Sequence, residues 1–174
     1  PARIGLARLS RGRLTGVPAE EGDAWIAMLE RLGPGYGQVV PVSPLLAGFN
    51  AQRGDVSRGP VDDIRIAAAR QHIDAVLIYE VIGASRDRAT VLSAVDFTII
   101  GAFLIPSRSL QGTATAAALL VDVRNGYTYG SALANAEQGG IWTNVGSSSR
   151  RMEVQGEAEL AAVRNLTGEV ATMV

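Results

Sequence analysis

Three carboxylates stand out by position: Glu80, Asp96 and Asp122 each interrupt a run that is otherwise apolar and extended. If their strands were neighbours, such acids could share a hard cation or divide acid and base roles between them. Each could equally sit at a strand end or on a solvated face, or pair with arginine; Arg124 and the Ser85-Arg86-Asp87-Arg88 loop offer partners. His72 is the single histidine, so a histidine-rich metal site is excluded and any Ser-His system must use it. Its place near the end of a helix, where the dipole favours a cation, already gives it a structural reason.

The remaining catalytic palette is narrow. Every basic residue is arginine, which removes the Walker lysine, the Schiff-base lysine and the lysine general base. Cysteine is absent, and with it thiolate nucleophiles, disulfides and sulfur-ligated metals. No catalytic, cofactor-binding or metal-binding residue is therefore assigned. A net charge of -1 and few aromatics argue against nucleic acid as a partner.

The elements that must position these residues follow from periodicity. Residues 3–9 alternate as a strand, "SRGRLTGVP" leads onward, and Pro18 opens a helix with Trp25, Met28, Leu29 and Leu32 on one face. Glu20, Glu21 and Asp23 load its first turns, as the macrodipole prefers. "GPGYG" at 33–37 follows that helix, so it reads as a stop and turn; a dinucleotide loop would follow a strand. "GQVVPVSP" is a second strand, the next loop has room for a short helical turn, and Pro60 opens a second helix.

"DAVLIYEV" is apolar on both faces, which predicts a central strand. Asn125-Gly126 marks a hairpin between two extended runs, and residues 150–170 carry helical spacing. The expected architecture is a single α/β (α+β) domain over 1–174. It has one mixed sheet packed by helices, in the order β-α-β-α-β-β-β-α, with the hairpin preceding the last helix.

The most apolar stretch, "FTIIGAFLIPS" at 97–107, has no charge from Phe97 to Pro106. As a helix its ten residues would span about 15 Å, half a hydrocarbon core, so it is not a transmembrane helix. Alternation fails after Ile99, and Gly101 and Pro106 predict a bend and an end. The segment reads as a core strand that emerges as an apolar edge, with Phe103, Leu104 and Ile105 as a candidate protein-interaction patch.

"AARQHIDAVLIYEV", "TIIGAFLIPSRS" and "LLVDVRNGYTYG", in that order over residues 67–130, resemble bacterial envelope lipoproteins of the rhombotarget lipoprotein type. The order of elements is also similar to the wider group of the curli secretion channel protein, the lipoprotein activator of penicillin-binding proteins and the N-terminal domain of TolB. That resemblance implies a mixed α/β domain on the periplasmic side of a bacterial cell envelope. It implies tethering through a lipidated N-terminal cysteine, and no catalytic residues. With Pro1 as its first residue the chain reads as a trimmed product, so the membrane would be reached only through a lost lipid anchor.

The leading expectation is a non-enzymatic domain that binds other envelope proteins or itself. Two alternatives stand beside it. One is a small hydrolase or metal-dependent enzyme using the strand carboxylates; the other is a subunit of an oligomeric secretion pore in which residues 90–106 form a membrane strand.

Overall fold

The computed structural model describes residues 2–51, 59–83, 114–136 and 148–173. In chain order the elements are β1 (Ala2–Ser10), β2 (Arg13–Thr15), α1 (Ala19–Leu32), β3 (Tyr36–Pro41), α2 (Pro44–Ala51) and α3 (Pro60–Arg70). They continue with β4 (Ala75–Gly83), β5 (Ala114–Asp122), β6 (Thr128–Ala136) and α4 (Ser148–Met173). The six strands form one mixed sheet in the order β2-β1-β4-β5-β6, with β3 beside the first half of β1. β1 runs parallel to β3 and β4, while β4–β5 and β5–β6 are antiparallel. The expected α+β class, central β4 and final helix are all present.

Alternation along each strand builds two cores. Ile4, Leu6, Leu77 and Tyr79 face α1 and α4, together with alternate alanines of β5 (Ala114, Ala116, Ala118) and β6 (Ala132, Ala134, Ala136). Ala158 and Ala162 of α4 settle on that carpet of small side chains beside Val163, Leu166 and Val170. Methyl-sized neighbours let the helix approach closely, so a larger residue at Ala118 would force it away from the sheet. On the other face Ala7, Leu9, Val76, Ile78, Leu119 and Val121 pack against Ala47 of α2 and Ile64, Ala67 and Ala68 of α3. β4 is thus apolar on both sides because a layer of helix lies on each.

Two turns differ from the sequence reading. "SRGRLTGVP" makes a hairpin before the helix: Ser10 pairs with Arg13, and Arg11 and Gly12 both take positive φ, 52° and 72°. That backbone twists as the flanking strands do, which fits a two-residue loop although Arg11 is not a residue the left-handed region favours. The β5–β6 hairpin exists, yet only Gly126 is left-handed (φ 76°). Its connection is longer than two residues, with the Gly126 N–H on the Asp122 carbonyl at 3.0 Å and the Asp122 N–H on the Tyr127 carbonyl at 2.8 Å.

His72 ends α3 in a way the dipole argument did not foresee. It is left-handed (φ 56°), its N–H reaches the Ala69 carbonyl at 3.0 Å, and the Ile73 N–H reaches that of Ala68 at 3.1 Å. This pair of bonds is a Schellman ending with histidine in the position glycine usually takes, and Ile73 follows into the core. At the other stop, Gly33 closes α1 at φ 102° as the turn reading required.

Candidate functional site

Parallel β1 and β4 end side by side, and at their carboxyl ends buried polar side chains collect on both faces of the sheet. Open α/β sheets place ligands at that end, which makes it the first place to look. Arg8 lies opposite Tyr79 and Leu9 opposite Glu80, so one step of register sends these two pairs to different faces of the sheet.

On the α1 and α4 side, Arg8 donates through Nε to both oxygens of Glu21, at 2.9 and 3.2 Å. The Tyr79 hydroxyl donates to Glu21 Oε2 at 2.6 Å. Glu21 is 5% exposed, because its place one helical turn before Trp25 puts it on the buried stripe of α1. The Trp25 ring tilts over Tyr79 with centroids 5.3 Å apart. A second acid, Glu159 of α4, stands 3.8 Å from the Arg8 guanidinium and accepts a bond from Gln155 at 3.1 Å. Burial alone would lower the Arg8 pKa, but the bond and charge of Glu21 more than offset it and hold the guanidinium above its ordinary value. Burial first, then the bond to Glu21, pushes the Tyr79 phenol well above its usual range. The arrangement is a filled clamp joining β1, β4 and α1, in which both Glu21 oxygens, the Arg8 Nε proton and the Tyr79 hydroxyl proton are engaged.

Glu80 occupies the opposite face. It is 1% exposed, flanked in the sheet by Leu9 and Ala117, and its Oε1 accepts the Gly12 N–H at 3.4 Å. Oε2 has no partner among the described residues. Of the settings expected for it, a strand end, a solvated face or an arginine pair, the solvated face is not found, and no arginine pairs with it among the described residues. β4 is covered on both sides, and alternation turns this side chain inward, under the Arg11-Gly12 turn. Burial raises its pKa, against the opposing pull of the Gly12 and Arg11 N–H groups and the Arg8 charge.

Asp122 is spent on local structure. Its Oδ1 accepts the N–H groups of Arg124 (2.8 Å) and Asn125 (3.0 Å), and its Oδ2 accepts the Tyr129 hydroxyl at 2.8 Å. The Asn125 N–H first and the Tyr129 hydroxyl next hold its carboxyl below the usual carboxylate range. Arg124 is therefore a partner through its backbone, while its guanidinium points to Asp74 at 3.8 Å.

Glu80 lies opposite Ala117 and Asp122 opposite Ala75. Five residues of β5 separate those positions, about 17 Å at 3.4 Å per residue. Alternation also places them on opposite faces, so the two acids do not converge. Asp96 and the patch Phe103, Leu104 and Ile105 lie outside the described residues. His72 stands exposed at the end of α3. Among the described residues no group of three or more histidines and acids is placed to hold a metal, and no helix is long and apolar enough to cross a membrane. Grooves beside α1 are lined by residues of α1, α4, β3 and the Gly33-Pro34 turn, and neither Glu80 nor Asp122 lines them.

Sequence reasoning missed four participants. Glu21 was assigned to the helix dipole, although it shares the helical stripe of Trp25, Met28 and Leu29. Arg8 shares the alternation of Ile4 and Leu6, which marks an inward arginine in need of an acid. Tyr127 and Tyr129 were read only as strand residues, yet they are 63% and 54% exposed and pack edge to face at 5.4 Å.

No protein-family model and no curated protein matches the chain. Among solved structures it is similar to the lipoprotein GNA1162 from Neisseria meningitidis, with 21% identity and a TM-score of 0.40, covering 93% of this chain and 97% of that one.

Proposed function

We propose that this chain is a non-enzymatic, periplasm-facing domain of a bacterial lipoprotein that works by binding other proteins, or copies of itself, at the cell envelope. The observation that carries the reading is the separation and use of its acids. Asp122 is consumed by a turn and Glu80 is about 17 Å away on the other face, so these two acids do not divide acid and base roles between them. The resemblance of residues 67–130 to envelope lipoproteins supports the location and the lipid tether. Exposed paired tyrosines support binding, since tyrosine offers large contact area at low entropic cost.

A second reading, a small hydrolase or metal-dependent enzyme, has Glu80 in its favour. A buried acid with a raised pKa is the state a general acid needs.

The test uses the whole gene product expressed in a bacterium. Labelled palmitate should enter the protein and the domain should be cleaved by protease only after the outer membrane is opened. A hydrolase screen with and without divalent cations should give no turnover that Glu80→Gln abolishes. Unlabelled protein in the cytosolic fraction would overturn the location, and Glu80-dependent turnover would overturn the non-enzymatic assignment.

A further inference from the structure

We propose that the outer edge of β6 pairs with the same edge of a second copy of this chain, antiparallel about Leu133, so that one sheet runs through both copies. The inference rests on the binding reading above and commits it to a surface and an occupant.

The two edges of the sheet are not alike. One is blunted: β2 has three residues and carries Arg13, and β3 has six and ends in Pro41. Short strands, charge and proline are the usual guards against edge pairing. The other edge is β6, nine residues (TYGSALANA) with no charge and no proline, and no strand lies beyond it among the described residues. Its one irregularity, opposite Leu120 and Val121, sits at the turn end, and residues 130–136 keep a regular register.

Hydrogen bonds at the turn fix which way β6 points its backbone. The Asp122 N–H goes to the Tyr127 carbonyl on the β6 side, and the Val123 N–H goes to the Asp74 carbonyl on the β4 side. Counting back from Asp122, alternation turns the peptide groups of Leu120, Ala118, Ala116 and Ala114 toward β6, where they meet Gly130, Ala132, Ala134 and Ala136. Ser131, Leu133 and Asn135 lie between those pairs, so their N–H and C=O groups point out from the edge. The Asn135 carbonyl accordingly accepts Asn165 Nδ2 of α4 at 2.9 Å. Ser131 and Asn135 are exposed and Leu133 is half-buried.

The occupant is chosen by the fit of this edge to itself. A two-fold axis at Leu133 sets Leu133 opposite its own copy and Ser131 opposite Asn135 on either side. All of these residues turn both backbone groups outward, which is the condition for each opposed pair to exchange two bonds. Asn135 Oδ1 accepts the Thr115 hydroxyl at 2.9 Å, so its amide nitrogen is the atom that meets the Ser131 hydroxyl of the second copy. Because the strand is uncharged, pairing it with itself sets no like charges opposite one another; a charged edge would repel its own copy. Helix α4 leaves room above the junction. Asn165 marks its side toward the edge, and one turn on stands Gly168, exposed, where a Cβ would meet nothing within 4 Å.

The experiment begins with light scattering and sedimentation of the chain, which should give a dimer. Ser131→Pro removes an outward N–H and no β5–β6 bond, so it should keep the circular dichroism and melting of the parent and be monomeric where the parent is dimeric. Amide exchange needs no variant: the Ser131, Leu133 and Asn135 N–H groups should be protected in the parent as strongly as those of Ala132 and Ala134. In a mixture of isotope-labelled and unlabelled chains, Overhauser contacts between copies should join Ser131 to Asn135 and Leu133 to Leu133. A monomer at every concentration, a dimer that Ser131→Pro leaves intact, unprotected outward amides, or contacts between copies that avoid these residues would overturn the proposal. A monomer that still takes up palmitate would overturn this inference and leave the location standing, whereas a dimer of unlabelled cytosolic protein would do the reverse.

Discussion

Glu21 and Glu80 are both buried, on opposite faces of the sheet, and they are treated oppositely. Glu21 meets a guanidinium through both oxygens and a phenol through one; among the described residues Glu80 meets a tight turn, with the Gly12 N–H at 3.4 Å, and its Oε2 has no partner. The difference comes from one step of alternation, since neighbouring positions of β4 face different helical layers. A buried acid stabilises only when charge and hydrogen bonds are both returned to it. One face supplies them from β1 and β4 together; the other supplies a tight turn.

The largest expected effect comes from emptying the filled clamp. Glu21→Ala leaves Arg8 buried against water-poor surroundings and should cost about 3 kcal/mol in urea unfolding. Equal stability would mean that the clamp is ornamental. Tyr79→Phe removes only the hydroxyl bond to the carboxylate and should cost about 1.5 kcal/mol in the same assay. The double mutant should cost less than the sum, because both changes act on one network.

Glu80→Gln should act in the other direction and by less. A carboxyl whose folded pKa is raised stabilises the fold fully below its unfolded pKa, and that contribution is lost as pH rises through the folded value. The variant should therefore be more stable than the parent at neutral pH, with the gap closing as pH falls toward the ordinary glutamate range. Thermal melts across that window check the sign; a gap that widened in acid would contradict it. Smallest of all, Arg11→Gly relieves a left-handed non-glycine residue above Glu80 and should raise stability by about 0.5 kcal/mol.

Much of this was legible in the chain. Apolar runs on both faces marked β4 as central, helix stops and proline starts bounded α1 and α3, and Asn125-Gly126 located the last hairpin. The site was harder because it depends on pairing. Nothing local says that Arg8 will lie beside Tyr79; that follows only once β1 and β4 are parallel neighbours in one register. Arg11-Gly12 was missed as a hairpin because arginine is a poor left-handed residue, and the turn is accepted for the strands it joins. Glu80 was expected at a strand end or beside arginine because a solitary buried carboxylate is unfavourable, and local pattern carries no account of what covers a strand.

The central claim is that Glu80 is a buried, poorly partnered acid on the face of the sheet opposite Glu21 and its clamp. A carbon-13 titration of the Glu80 side-chain carboxyl in the folded protein tests it directly. The account predicts a midpoint above the ordinary glutamate range, returning to that range in the urea-unfolded chain. A folded midpoint within or below that range would contradict it, since it would require a cation or several hydrogen-bond donors at an oxygen that has none among the described residues.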